Sequence, residues 1–275
     1  MLVTLKDLLN SYLEKDAAVG SFSATIYADT QPIIDAAEKL NAPVIVMIGP
    51  WGTKYMDIGL WGKLLIEMAN RAKVPVCVLL DHAHKLDEIQ AAIDAGFSSV
   101  MIDGSQLPYN ENVALTREVV KRAVAKGISV EAEIGSVGYS GTNSFKRELS
   151  DPVMTEKFVE DTGIDAVAVS VGTLHRMEKQ GTHIDFNLLH SIEKCVGIPL
   201  VIHGSSGLLE EEFVKLRTTH VCKVNIGTVL RITFDNALRK VLAENPSNYV
   251  YTELLMTPRN AVEEVVTSKL RLLGF

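Results

Sequence analysis

Short uninterrupted apolar runs alternate along the chain with longer stretches in which apolar residues return every three or four positions. The runs cover 17–21, 43–48, 74–80, 98–102, 128–134, 166–171, 199–202 and 221–226. Each has strand length, is rich in Val, Ile, Leu and Ala, and lacks the in–out alternation of a half-exposed strand. That pattern predicts strands covered on both faces. Between them, 30–40, 60–72, 86–95, 112–125, 152–162, 186–195, 208–218, 234–242 and 259–273 carry helical spacing. Several of these stretches are stopped by a following glycine: Gly96, Gly127, Gly163 or Gly197. A strand followed by a helix, eight times at about 30 residues per unit, implies a parallel sheet with helical crossovers. In 275 residues, the α/β class with a single (β/α)8 TIM barrel, one domain over 1–275, fits better than two domains. A doubly wound open sheet is the alternative. It requires a glycine fingerprint after the first strand, where the chain instead reads Val19-Gly20-Ser21-Phe22-Ser23.

Composition excludes several classes. With 47% hydrophobic and 22% charged residues the chain is too apolar to be disordered. A net charge of −7 without a basic stripe argues against nucleic acid as a partner. No run reaches the roughly 18–20 apolar residues of a membrane span. The opening Met1-Leu2-Val3-Thr4-Leu5-Lys6-Asp7 lacks the basic, apolar and small-residue succession of a secretory leader, so a cytoplasmic location is expected. Cys77, Cys195 and Cys222 lie far apart, each in an apolar run, and read as free thiols.

The chemistry of such a barrel sits at the C-terminal ends of its strands. There the chain places Asp81 and His82, then Asp103-Gly104-Ser105, then Glu131 and Glu133. Gly172, Thr173 and His175 follow, then His203-Gly204-Ser205-Ser206-Gly207 and Asn225-Ile226-Gly227-Thr228. A lone strand-end histidine is more often a hydrogen-bonded side chain. Three at equivalent ends, one beside an aspartate, point to a catalytic metal with an open position. His84, His183, His190 and His220 lack that placement and read as surface or structural. The last two glycine-containing loops each lead into a helix, where backbone N–H groups attract an anion; ordinary capped turns are the alternative.

Six segments occur in one order: Leu79-Leu80-Asp81-His82, Ser99-Val100-Met101-Ile102-Asp103-Gly104-Ser105, Val130-Glu131-Ala132-Glu133-Ile134-Gly135, Val171-Gly172-Thr173-Leu174-His175, His203-Gly204-Ser205-Ser206-Gly207 and Lys223-Val224-Asn225-Ile226-Gly227-Thr228. In these the chain resembles the class II, zinc-dependent ketose-bisphosphate aldolases over nearly its whole length. The resemblance implies a lyase that cleaves or forms a phosphorylated ketose through a metal-stabilised enediolate of dihydroxyacetone phosphate. His82, His175 and His203 would hold Zn2+. Asp103 and Glu133 would hold a second divalent ion or orient the zinc ligands. Asp81 would move the proton of the C4 hydroxyl. Gly204, Ser206, Asn225 and Thr228 would grip the phosphorylated half, with Gly138 and Gly172 nearby and Na+ or K+ assisting. A homodimer or homotetramer is implied as well.

Four departures fall on the other half of the substrate. The loop after the fifth strand, Gly138-Tyr139-Ser140-Gly141-Thr142-Asn143-Ser144-Phe145, carries no acid. Arg176 stands where the family commonly has glycine, and Ser23 where it has asparagine. A C-terminal Asp-Pro-Arg is missing, with Arg259 as a substitute. Ser23, Arg176 and Arg259 are therefore candidates for the distal group, and the aldehyde partner is expected to differ from glyceraldehyde 3-phosphate. Competing readings are a sugar-phosphate epimerase, a silent sugar-phosphate-binding protein, and a metal-dependent hydrolase built on His82-Ala83-His84.

Overall fold

The computed structural model describes residues 1–141 and 147–275. Its strands are β1 (Leu2–Val3), β2 (Val19–Ala24), β3 (Val44–Ile48), β4 (Val76–Ala83), β5 (Ser99–Ile102), β6 (Ser129–Ile134), β7 (Ala166–Val169), β8 (Leu200–Ile202) and β9 (Val221–Ile226). All pair in parallel, in the order β4-β3-β2-β9-β8-β7-β6-β5, and pairing of β4 with β5 closes the ring. The expected eight-stranded barrel is thus formed, with helices between its strands. β1 joins the first residues of β4, with Leu2 opposite Val76.

Alternation along each strand separates two cores. On β3, Val44, Val46 and Ile48 face outward into the layer that also holds Trp61, Phe97, Phe158 and Phe213. Ile45 and Met47 face inward with Cys77, Leu79, Met101, Ala168 and Val201. The floor of this interior is plugged by the helix Leu5–Asn10, which contributes Leu5, Leu8 and Leu9. That helix is anchored by N–H donation from Leu5 to Ser99 Oγ and from Lys6 to Ser129 Oγ.

Three differences from the sequence pattern bear on the site. β2 ends at Ala24 rather than at 21, so Ser23 is a strand residue. β4 runs through Asp81 and His82 to Ala83. The helix expected over 234–242 spans Thr228–Glu244, which puts its N-terminus directly after the Asn225-Ile226-Gly227 loop. Its first turns hold one buried residue, Leu230, too few to create an apolar period. Residues 142–145 of the acid-free loop lie outside the described residues. Among the described residues no helix is long and apolar enough to cross a membrane.

Candidate active site

Ionisable side chains enter the barrel from its middle upward. On β6, Glu131 and Glu133 alternate with the outward Val130, Ala132 and Ile134. On β9, Lys223 and Asn225 lie two residues apart and share the inward face. Lys223 and Glu131 are fully buried, with Nζ 2.8 Å from Oε2 and 3.1 Å from Oε1. Oε1 also meets His203 Nε2 at 2.9 Å. A buried ion pair needs such additional bonds to offset the loss of hydration.

With Nε2 engaged, His203 turns Nδ1 toward His82 Nε2, 2.9 Å away. His82 sits at an irregularity in β4, where the register with β5 shifts between Leu80 and Ala83. Its φ of 49° is left-handed, uncommon outside glycine. This kink lets the consecutive residues Asp81 and His82 both line the pocket, which plain strand alternation forbids. His82 Nδ1 donates to Asp103 Oδ2 at 2.8 Å, and Asp103 Oδ1 accepts from the Ser105 N–H at 3.0 Å. The His175 ring centre lies 5.0 Å from that of His82 and 5.7 Å from that of His203.

His82, Glu133, His175 and His203 each offer a ligand atom within 4.8 Å of the others. Glu133 Oε1 accepts the Val137 N–H at 2.9 Å. Its Oε2 is buried without a hydrogen-bond partner, 3.9 Å from His203 Nδ1. An orphaned buried carboxylate oxygen is costly unless something cationic satisfies it. Three imidazoles and a carboxylate are the donor set that suits zinc, so the residues fit a divalent ion. Asp103 stands outside this set, against the far nitrogen of His82.

The charges of the chain push in the same direction. Burial opposes protonation of His82, but the carboxylates of Asp81, Asp103 and Glu133 outweigh it and raise its pKa to about 10. Burial, reinforced by the charge on His82, holds His175 and His203 well below the ordinary imidazole range. Burial and the neighbouring Asp103 push Glu133 up to about 8. For Asp103 the hydrogen bonds from His82 and Ser105 overcome burial and hold it below the usual carboxylate range. The surrounding carboxylates thus favour positive charge at His82.

Beside it, Asn225 Nδ2 donates to Asp81 Oδ1 at 3.3 Å and lies 3.2 Å from His203 Nε2. Gly204, at φ 68°, begins the turn Ser205–Gly207; a Cβ there would come within 2.6 Å of the Leu174 carbonyl. Ser206 Oγ accepts the Val229 N–H at 3.4 Å, which ties the two glycine loops together. The helix Thr228–Glu244 begins at Gly227, which has no side chain to cap it, and Gly227 and Thr228 place this N-terminus, the end whose dipole favours negative charge, at the pocket wall.

Ser23, Asp81, His82, His175, Arg176, Gly204, Ser206, Asn225 and Thr228 all line this one pocket. Gly138 and Gly172 are not among its lining residues. Gly138 accepts the His175 N–H at 2.8 Å and so supports the segment that carries this histidine. Arg259 faces Asp35 at 3.4 Å and is likewise absent from the pocket lining. Trp51, Lys54, Tyr139 and Arg231 line the pocket without having been singled out as site residues in the sequence. Arg231 lies one helical turn after Thr228, a spacing that marks it in retrospect.

Comparison with known proteins places the whole chain. A family model described as "Fructose-bisphosphate aldolase class-II" matches residues 3–275. A fructose-bisphosphate aldolase of Geobacillus stearothermophilus is 37% identical over 279 residues, covering 99% of this chain and 97% of that protein. One from Giardia intestinalis is 35% identical over 301 residues, covering 99% and 93%. The crystal structure of the YdjI aldolase from Escherichia coli K12 superposes with a TM-score of 0.88 at 29% identity, covering 100% of this chain and 98% of that one.

Proposed function

Because the chain belongs to the class-II fructose-bisphosphate aldolase family, we propose that it is a zinc-dependent carbon–carbon lyase. It splits a phosphorylated ketose into dihydroxyacetone phosphate and an aldehyde, and joins them in reverse. His82, His175 and His203 hold the ion, with Glu133 beside them. Bound zinc supplies Lewis-acid stabilisation of the negative charge that develops on the ketone oxygen.

The remaining work belongs to the chain. Asp103 fixes the His82 ring through Nδ1 and so presents Nε2. The Glu131–Lys223 pair fixes His203 through Nε2 and presents Nδ1. Asp81 is the general base, held by the Asn225 amide. It accepts the proton of the C4 hydroxyl as C4–O becomes a carbonyl. The C3–C4 bond breaks, its electron pair stays with the ketone half, and C3 takes up a proton from water while Asp81 returns its own to solvent, which completes dihydroxyacetone phosphate. Gly204, Ser206, Thr228 and the helix N-terminus hold the phosphate and thereby fix the reacting carbons.

The observation that carries this reading is Glu133 Oε2, orphaned among three imidazoles next to Asp81 and two anion-binding loops. The test is release of triose phosphate from a panel of ketose phosphates by protein as purified, after chelation, and after zinc is restored. Activity should track a content of about one zinc per chain. Full turnover by metal-free protein, or no triose phosphate from any ketose phosphate, refutes it.

A further inference from the structure

Outside the histidine cluster the pocket changes character. Its outer wall is made by Trp51 and Lys54 of the short helix Pro50–Tyr55 and by Tyr139 and Arg176. Arg176 adopts φ 58°, so a bulky side chain is held in a conformation that glycine prefers. Its guanidinium carbon lies 4.8 Å from the Tyr139 ring centre and 5.5 Å from that of Trp51. Tyr139 in turn stacks on the metal-site residue His175, 4.8 Å between ring centres at 27°. Lys54 Nζ lies 5.4 Å from the same Trp51 ring.

A cation above an aromatic ring uses the ring's negative face and leaves its own N–H donors unbonded. Among the described residues, neither Arg176 nor Lys54 has a carboxylate within ion-pair distance. The one carboxylate among the pocket's lining residues is Asp81, which Asn225 already engages. A third cation, Arg231, bonds Thr228 Oγ1 at 3.2 Å beside the phosphate loops. Burial and the charge of Arg176 both lower its pKa. Two guanidinium groups thus line the pocket, Arg231 beside the start of the helix Thr228–Glu244 and Arg176 against the aromatic wall.

We infer that Arg176, braced by Trp51 and Tyr139 and seconded by Lys54, is a specificity-determining clamp for an anionic terminus on the aldehyde half, a carboxylate or a phosphate. The inference rests on the aldolase reading above. Both anions accept the in-plane donors of an arginine.

The experiment compares three ketose 1-phosphates of equal chain length ending in a carboxylate, a phosphate or a hydroxymethyl group. Wild-type enzyme should prefer one of the anionic substrates over the neutral one by about 10- to 100-fold in kcat/KM, and which one identifies the natural anion. Arg176→Gly suits the left-handed backbone and keeps the fold, which an unchanged melting temperature verifies. It should reduce that preference about 10-fold or more, chiefly through KM, with Arg176→Lys in between. Equal rates on neutral and anionic substrates, or a preference that survives in Arg176→Gly, overturn the clamp and leave the aldolase standing. Absence of triose phosphate from all three overturns both.

Discussion

The inner and outer halves of the pocket are built on opposite terms. The inner half hangs on strand ends. Its groups are buried and joined to one another, His82 to Asp103, His203 to Glu131, Glu131 to Lys223 and Asp81 to Asn225, with Glu133 Oε2 left open among the imidazoles. The outer half hangs on a short helix and loop segments. Its cations are held by ring faces, and Trp51 is 52% exposed. A rigid inner frame suits a reaction whose geometry must not vary, and an adaptable rim suits selection among partners. Changes in the inner half should therefore abolish chemistry or folding, whereas changes in the outer half should shift preference.

The sharpest break is at Asp81. Asp81→Ala removes the proposed base without touching the proposed metal ligands and should lower kcat by about 10²- to 10⁴-fold, with zinc content unchanged by elemental analysis. A smaller loss would move the base elsewhere. Lys223→Met tests the buried frame. It leaves Glu131 charged and unpaired in the barrel centre and should destabilise the fold by about 3–5 kcal/mol in urea titration. Adding Glu131→Gln should recover much of that loss, because the orphaned charge is then gone. Asp103→Asn keeps the shape but weakens the grip on His82 Nδ1; zinc affinity, read against a chelating dye, should fall about 10- to 100-fold. The smallest effect is expected at Arg259, where Arg259→Ala breaks a partly exposed pair with Asp35. Its cost should stay within about 0–1 kcal/mol in thermal unfolding, with ketose preference unmoved.

The inner half was also the legible half. Apolar runs mark buried parallel strands, so a polar residue at the end of such a run stands out, and His82, His175, His203, Asp81 and Asn225 converge as that logic requires. Period-two alternation along β6 and β9 even puts Glu131 and Lys223 on the inward face, although pairing them takes the closed ring. The outer half follows no period. Trp51 and Lys54 sit on a helix too short to show one, and Tyr139 reaches the site because its segment pairs with His175. Arg259 shows the converse: proximity in sequence to a missing motif does not bring it to the pocket, because Asp35 holds it on the helical layer. The kink at His82 was equally invisible, since a register shift is settled between two strands rather than within one.

The most direct test of the account is X-ray absorption at the zinc edge on fully active protein. The expected result is a first shell of nitrogen and oxygen with the multiple-scattering signature of three imidazoles, lost in parallel with turnover in His203→Ala. Full activity without a zinc edge, or a shell dominated by sulfur, would contradict it.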